Sequence, residues 1–382
     1  MFSESLIRLK EKNLMREIKN RNSPQGSRIL IDGENYINFS SNDYLGLANH
    51  PHVIESAQKV IATFGFGSGA SRLLCGGSIL HDELEKKTAE FKGTESALIF
   101  NSGYSANTGI IPAIADEGDV IFSDELNHAS IVDGCRLSKA KKIIYRHKDI
   151  GHLSELIKKE NTARKIVITD SVFSMDGDIA PLKEIYDLCV TLNYSLSTPN
   201  FLLYIDDAHG TGVLGSGKGA LAHFGIKPEP WIIQMGTFSK ALGSFGAFAA
   251  GSKSTIEWLL NTARSFIFST ALPSCAAAAS IAALEVIERE PDILNKLWSN
   301  REQAVHGIIK LGYDIMGSET PITPVRTGTV EEALRISRHL MKNGIFAPAI
   351  RPPSVKEPRI RITVTAAHTA EDIESLIKAL SL

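Results

Sequence analysis

Seven short apolar runs, most of them rich in β-branched and aromatic residues, recur through the middle of the chain: SALIFNSG, DVIFSD, KKIIYRH, RKIVITDSVFS, FLLYIDDAHG, WIIQMGTFSK and GAFAAGS. None alternates polar with apolar residues, so each demands burial on both of its faces. Amphipathic segments such as LSELIKKEN and PLKEIYDLCVTLN stand between them. Unalternating strands separated by helices dictate an α/β class with a mostly parallel sheet, because parallel strands need crossover helices and those helices cover both faces. Beyond about residue 284 the pattern changes to helix, short strands and RIRITVTAAH, which predicts a smaller α+β domain. The expected division is an N-terminal helix with short strands over 1–44, a large domain over 45–283 and a small C-terminal domain over 284–382.

In open α/β sheets ligands bind at the carboxyl ends of the strands. Five of the runs end in polar residues, as NSGY, SDELNH, DSVFSMDGD, DDAHGTG and GTFSK, and five such ends together predict one crevice. The net charge of -2 gives no electrostatic footprint for nucleic acid or an anionic membrane, so a small molecule is the expected partner. Four cysteines lie far apart with no CxxC pair, which argues against a zinc or redox motif and for buried thiols in a reducing cytosol. The N-terminal stretch FSESLIRLKEKNLMREIKN has helical spacing and no apolar signal core. The long uncharged run SFIFSTALPSCAAAASIAAL contains Pro273 and reads as a loop entering a packed Ala-rich helix. These features place the protein in the cytoplasm.

Two phosphate-binding motifs are mimicked. GTGVLG over 210–215 has the G-x-G-x-x-G spacing, yet four residues separate it from its strand and GKGALAHFG is a poor helix start, against a dinucleotide fold. GVLGSGKG over 212–219 ends in Gly219 where a P-loop needs a hydroxyl for magnesium. His147 and His152 have a metal-like spacing, but KDIG between them is turn material and no third ligand follows, so no metal site is expected and both are taken as solvated. The polar loop NYSLSTPN before FLLYIDD is longer than its connection requires and has no functional reading.

A different set carries chemistry. TFSKALG places Lys240 in a Gly-, Ala- and Ser-rich surround, and FLLYIDDAHG places two acids and a histidine at an earlier strand end. A lysine amine, a carboxylate for a pyridine nitrogen and donors for a phosphate are what pyridoxal phosphate requires. Strand alternation sends Asp206 and Asp207 to opposite faces, so only one can meet the ring; Asp206 is chosen, with His209 near the phenolic oxygen. A buried Lys240 would have a lowered amine pKa and act as nucleophile and proton carrier. Thr237 and Ser239 are candidate phosphate donors. The backbone N–H groups of Gly103 and Tyr104 open a helix, where the dipole favours an anion. His128 can lie flat over the ring.

The motifs FSSNDYLGLANHP, FGFGSGASRLLCGG, NSGYSANTGI, DELNHASIVDG, DSVFSMDGD, YIDDAHGTGVLG, GTFSKALGSFGAF, FSTALPS and RIRITVTAAH occur in that order. Together they resemble the α-oxoamine synthase family of fold-type I pyridoxal phosphate enzymes, from about Asn38 to His368. The resemblance implies a PLP-dependent transferase fold with a seven-stranded, mostly parallel sheet and a homodimer with shared active sites. It implies Lys240 as the covalent anchor, Asp206 at the ring nitrogen, His209 and Ser174 at the ring oxygen, and His128 stacked on the ring. Gly103, Tyr104 and Thr237 would hold the phosphate, and Thr270 would reach the phosphate of the partner subunit. Arg361 matches the family's arginine for the amino-acid carboxylate, and Arg16, Asn42, Arg351 and Ser354 match substrate-contacting positions. AIRPPS followed by PRIRITVTAAH is most similar to the family member that joins L-alanine to a pimeloyl thioester, ahead of the sister enzymes that use glycine. Ser354 stands where relatives commonly have Thr, and Cys75 in SRLLCGG has no reading.

Overall fold

The computed structural model describes residues 2–161, 164–194 and 200–381, the side chain of residue 194 excepted, and forms two compact units. Residues 195–199 of the NYSLSTPN loop lie outside the described residues.

The larger unit spans 50–173 and 179–294. Its sheet contains β1 (Ser96–Phe100), β2 (Val120–Asp124), β3 (Lys141–Tyr145), β4 (Lys165–Asp170), β5 (Phe201–Asp206), β6 (Ile232–Thr237) and β7 (Ala247–Gly251). These are the seven apolar runs, in the spatial order β1-β7-β6-β5-β4-β2-β3. Only β7 runs antiparallel to its neighbours. β2, β4, β6 and β7 are buried at every residue, which accounts for the missing polar alternation. Helices α1 (Ile79–Lys92), α2 (Gly103–Ile114) and α3 (Ala129–Leu137) belong to this unit, as does α4 (Ser274–Arg289). In α4 the buried residues Ala277, Ala278, Ala282 and Ala283 let the helix Pro51–Phe64 approach closely enough for Ser56 Oγ to donate to the Ala278 carbonyl at 3.1 Å.

The smaller unit comprises residues 1–49, 174–178 and 295–382. In one three-stranded sheet Glu34–Asn38 pairs antiparallel with Arg28–Ile31 and parallel with Ile345–Phe346. In the other, Arg359–Thr363 lies between Ile322–Arg326 and Ala349–Ile350. Phe39, Ile308, Val325, Leu340, Ile360 and Ile373 share one core. The unit limits therefore differ from the expected 44/45 and 283/284. The N-terminal strand pairs with a C-terminal one, residue 283 falls inside α4, and the 174–178 segment is tied by hydrogen bonds to Thr320, Arg359 and Arg361.

Four smaller expectations are corrected. The N-terminal helix covers only Ser3–Glu11 and has no buried residue. Cys75 is exposed, whereas Cys135, Cys189 and Cys275 are buried; all four are free thiols. His147 and His152 are partly exposed and also hydrogen-bonded: His147 Nδ1 meets Asp124 Oδ1 at 2.9 Å and its ring packs edge-on against Phe173, and His152 Nδ1 accepts from the Arg146 amide at 3.0 Å. Within GKGALAHFG a single helical turn, Ala220–His223, does form. Among the described residues no group of acids, His and Cys could hold a metal ion, and no helix is long and apolar enough to cross a membrane.

Candidate active site

The two acids that end β5 have opposite fates. Asp207 accepts from Lys92 Nζ at 2.8 Å, from Thr211 Oγ1 at 3.0 Å and from Ser171 Oγ at 2.7 Å, and the Ala220 amide donates to it at 3.2 Å. Lys92, the last residue of α1, also donates to the Lys218 carbonyl at 2.7 Å, and both charged side chains are essentially sealed from solvent. The Gly-rich loop that mimics nucleotide motifs wraps this ion pair. A Cβ on Gly210 would stand 2.1 Å from Asp207 Oδ1. One on Gly219, at φ +103°, would stand 1.9 Å from Asp207 Oδ2 and 2.4 Å from Lys92 Nζ. Glycine is required there because the chain must pass next to a buried carboxylate in a left-handed conformation.

Asp206 points to the other face, towards α2. Its Oδ2 accepts from Asn107 Nδ2 at 2.7 Å and its Oδ1 from the Ala208 amide at 3.0 Å. Asp206 is buried and takes these two bonds from neutral donors, whereas Asp207 is paired with the Lys92 cation. Asp170 stands beside it in register on β4 and accepts from the His128 amide at 2.7 Å. Burial first, and then the neighbouring charge of Asp206, push the Asp170 carboxyl well above the usual carboxylate range.

His128 caps α3, with its Nδ1 accepting from the Ser130 amide at 3.2 Å. Its pKa is lowered, chiefly by burial and further by the charge of Lys240, while the charge of Asp206 acts in the opposite sense. His128, Asp170, Asp206 and Lys240 thus form one electrostatic cluster. Lys240 lies in the turn after β6, closed by the Gly243 amide donating to the Lys240 carbonyl at 2.9 Å. It is half-buried rather than fully buried as expected, because that turn sits at the open carboxyl edge of the sheet. His209 is buried in the turn after β5.

Thr237 and Ser239 divide the work expected of both. Thr237 is buried and gives its proton to the Gly246 carbonyl at 2.8 Å, while its oxygen accepts from the Ser239 amide at 3.1 Å. Ser239 is exposed, so its hydroxyl, which pairs with Thr237 Oγ1 at 2.6 Å, is the one of the two that solvent reaches. Gly103 and Tyr104 open α2 as expected, with Ser102 capping it by accepting from the Ser105 amide. The Tyr104 hydroxyl donates to Asp133. Thr270 is exposed, and its carbonyl accepts from Asn101 Nδ2 at 2.7 Å.

The smaller unit holds the remaining candidates. Arg361 is 7% exposed, and its guanidinium donates from Nε to the Ser174 carbonyl at 2.7 Å, from Nη1 to Thr363 Oγ1 at 2.9 Å and from Nη2 to Asn42 Oδ1 at 3.0 Å, and also bonds the buried Tyr44 hydroxyl. A buried guanidinium held by neutral acceptors suits an anionic ligand, since a carboxylate completes its charge balance. Arg16 Nη2 donates to Ser354 Oγ at 2.9 Å, and Arg351 donates to the carbonyls of Asn13 and Met15 at 2.7 and 2.6 Å. Arg16, Arg351 and Ser354 therefore cluster, as do Arg361, Asn42 and Ser174.

Sequence reading missed Asn107, Ser130, Tyr204 and Lys92. Tyr204 Oη donates to Asn107 Oδ1 at 2.5 Å, and Asn107 Nδ2 reaches Ser130 Oγ at 2.8 Å as well as Asp206. Tyr204 was legible only as a strand residue and Lys92 only as a helix-end cation.

Comparison with known proteins adds four findings. The description "Aminotransferase class I and II" matches residues 34–380. An 8-amino-7-oxononanoate synthase of Thermoanaerobacter pseudethanolicus is 48% identical over 383 residues, covering 99% of this chain and 95% of the relative. Among solved structures, a serine palmitoyltransferase from S. paucimobilis with a bound PLP–myriocin aldimine has a TM-score of 0.93 at 26% identity, over 100% of this chain and 97% of the other. The 8-amino-7-oxononanoate synthase from Francisella tularensis has a TM-score of 0.78 at 26% identity, over 91% and 97%.

Proposed function

The chain belongs to the class I and II aminotransferase family, and on that premise we propose that it is a pyridoxal 5′-phosphate-dependent α-oxoamine synthase of biotin biosynthesis. The reaction joins L-alanine to a pimeloyl thioester and yields 8-amino-7-oxononanoate, carbon dioxide and the freed carrier thiol. The observation that carries the reading is the contrast between the adjacent acids. Asp207 is neutralised inside the fold by Lys92, whereas Asp206 lies buried, takes hydrogen bonds from the Asn107 amide and the Ala208 N–H, and shares one electrostatic cluster with His128 and Lys240. A buried carboxylate in that state fits a protonated pyridine nitrogen, so the residues suit the cofactor. The alanine and pimeloyl pair is supported by the full-length relative at 48% identity. The two solved structures are each 26% identical to this chain and do not separate one amino acid from another.

When bound, pyridoxal phosphate supplies an aldehyde carbon that takes up an amine and a cationic ring that withdraws electrons from the attached substrate carbon. Lys240 would supply the anchoring amine and could hold the substrate α-proton on Nζ. Asp206 keeps the ring nitrogen protonated. His128, whose pKa burial lowers, would stack on the ring in its neutral form. His209 and Ser174 meet the ring oxygen. The Gly103 and Tyr104 amides and the Ser239 hydroxyl take the phosphate, with Thr237 fixing Ser239. Arg361, steadied by Asn42, takes the amino-acid carboxylate, and Arg16, Arg351 and Ser354 serve the acyl substrate.

The working form in this reading is a cytoplasmic homodimer in which Thr270 reaches the partner's phosphate. The surface around Thr270 supports this. The Ala271 amide donates to the Ala70 carbonyl at 2.9 Å, joining two segments in which Phe66, Leu74 and Phe268 are 70%, 79% and 70% exposed.

The test offers alanine, glycine and serine separately with pimeloyl, acetyl, succinyl and palmitoyl thioesters, and follows thiol release. Condensation is expected for alanine with pimeloyl alone, and preference for another pair refutes the substrate assignment. Borohydride treatment is expected to leave the cofactor's mass on Lys240, and Lys240→Ala is expected to lose turnover. A Lys240→Ala enzyme that still turns over overturns the assignment.

A further inference from the structure

Two buried side chains, Asn107 and Ser130, connect Asp206 to His128, and a third, Tyr204, holds Asn107. Tyr204 Oη donates to Asn107 Oδ1 at 2.5 Å; Asn107 Nδ2 donates to Asp206 Oδ2 at 2.7 Å and to Ser130 Oγ at 2.8 Å; Ser130 Oγ meets His128 Nδ1 at 2.7 Å. The donor and acceptor roles follow from counting protons. With Asp206 ionised, the Asn107 oxygen cannot face it, so the amide must turn both N–H groups towards Asp206 and Ser130 and its oxygen towards Tyr204. Tyr204 is fully buried and holds its proton, which makes it the donor. Ser130 Oγ accepts from Asn107, so its single proton is left for His128 Nδ1. The Ser130 amide points at the same nitrogen from 3.2 Å. With two donors aimed at Nδ1, the imidazole carries its proton on Nε2.

We infer that Asn107 is a positioning residue that relays the ionised state of Asp206 through Ser130 to His128, fixing that ring as the neutral Nε2–H tautomer. The inference rests on the reading of Asp206 as the acid that serves the ring nitrogen. It assigns to Asn107 and Ser130 a role in the reaction beyond packing. One amide sets the orientation of the acid under the cofactor and the proton position on the imidazole over it. His128 then acts as a hydrogen-bond donor from Nε2 and does not exchange protons at Nδ1.

The test is read on the nitrogen atoms of His128 in [15N]histidine-labelled holoenzyme, identified by loss of its signals in His128→Asn. In the native protein Nδ1 is expected to appear as an unprotonated acceptor and Nε2 as protonated; a proton on Nδ1 overturns the inference. Asn107→Leu combined with Tyr204→Phe removes the relay without stranding a buried hydroxyl. Ser130 Oγ then accepts from a protonated Nδ1, so the imidazolium-to-imidazole ratio at a given pH is expected to rise at least about tenfold, a shift of about one pKa unit. Adding Ser130→Ala to that pair removes the acceptor and is expected to reverse the shift. An unchanged His128 titration in the relay-less variant refutes the inference. Should that variant fail to fold, the native tautomer decides. None of these readouts depends on which thioester is used. A wrong substrate pair leaves them intact, and a protein that binds no pyridoxal phosphate is exposed at once by its missing visible absorbance.

Discussion

Lys92→Met tests why β5 ends in two acids with different tasks. The substitution keeps the length and apolar stem of the side chain and removes one charge from a pair whose side chains are 0% and 2% exposed. Asp207 keeps its bonds from Ser171, Thr211 and the Ala220 amide, so it stays in place as a buried anion without a cation. Leaving one partner of a buried pair uncompensated costs about 3–5 kcal/mol. For a unit of this size about 2–4 °C is lost per kcal/mol. The melting temperature by calorimetry, at saturating cofactor, is therefore expected to fall by roughly 6–20 °C. Lys92→Met with Asp207→Leu removes both charges and should recover more than half of the loss, because the penalty belongs to the stranded anion and not to the missing bond. A Lys92→Met enzyme within about 1 kcal/mol of native, or a double variant as unstable as the sum of the singles, refutes the reasoning.

Two further outcomes follow from the smaller unit. Arg361→Lys exchanges a guanidinium with several fixed partners for a point charge, and losing bidentate geometry at about 1.5–3 kcal/mol should raise KM for alanine roughly 10–100-fold with a smaller change in kcat; steady-state kinetics at saturating thioester check this. His368 stacks on Phe39 at 4.2 Å and burial lowers its pKa to about 4. A depressed folded-state pKa means that stability present above the unfolded value near 6.5 is lost as pH falls from there towards 4, by about 3 kcal/mol. Urea unfolding between those pH values should show this slope, and His368→Gln should flatten it; equal slopes would contradict the assignment.

Much of the site was legible because its chemistry is local in the chain. Lys240, His128, Asp206, His209, Gly103 and Tyr104 each follow directly from the end of an apolar run, and in a parallel sheet those ends share an edge. The division of labour within pairs was not legible. That Ser239 and not Thr237 presents its hydroxyl depends on a bond to Gly246, which comes from the next strand. That Lys240 is half-buried depends on how its turn packs.

The order of unalternating strands and crossover helices was enough to determine a mostly parallel sheet covered on both faces, since strands without a polar face can only be buried on both sides. Alternation alone put Asp206 and Asp207 on opposite faces. Tertiary structure alone decided which face holds a cation, through Lys92 from a helix 115 residues away in sequence, and which holds Asn107 and its relay. It also decided that the N-terminal strand belongs with the C-terminal unit and that the Gly-rich loop wraps an ion pair rather than a nucleotide. The reason is the same in each case. Hydrophobic periodicity encodes which face of an element is buried, but the partner across that face is supplied by a distant segment and is set only when the chain packs.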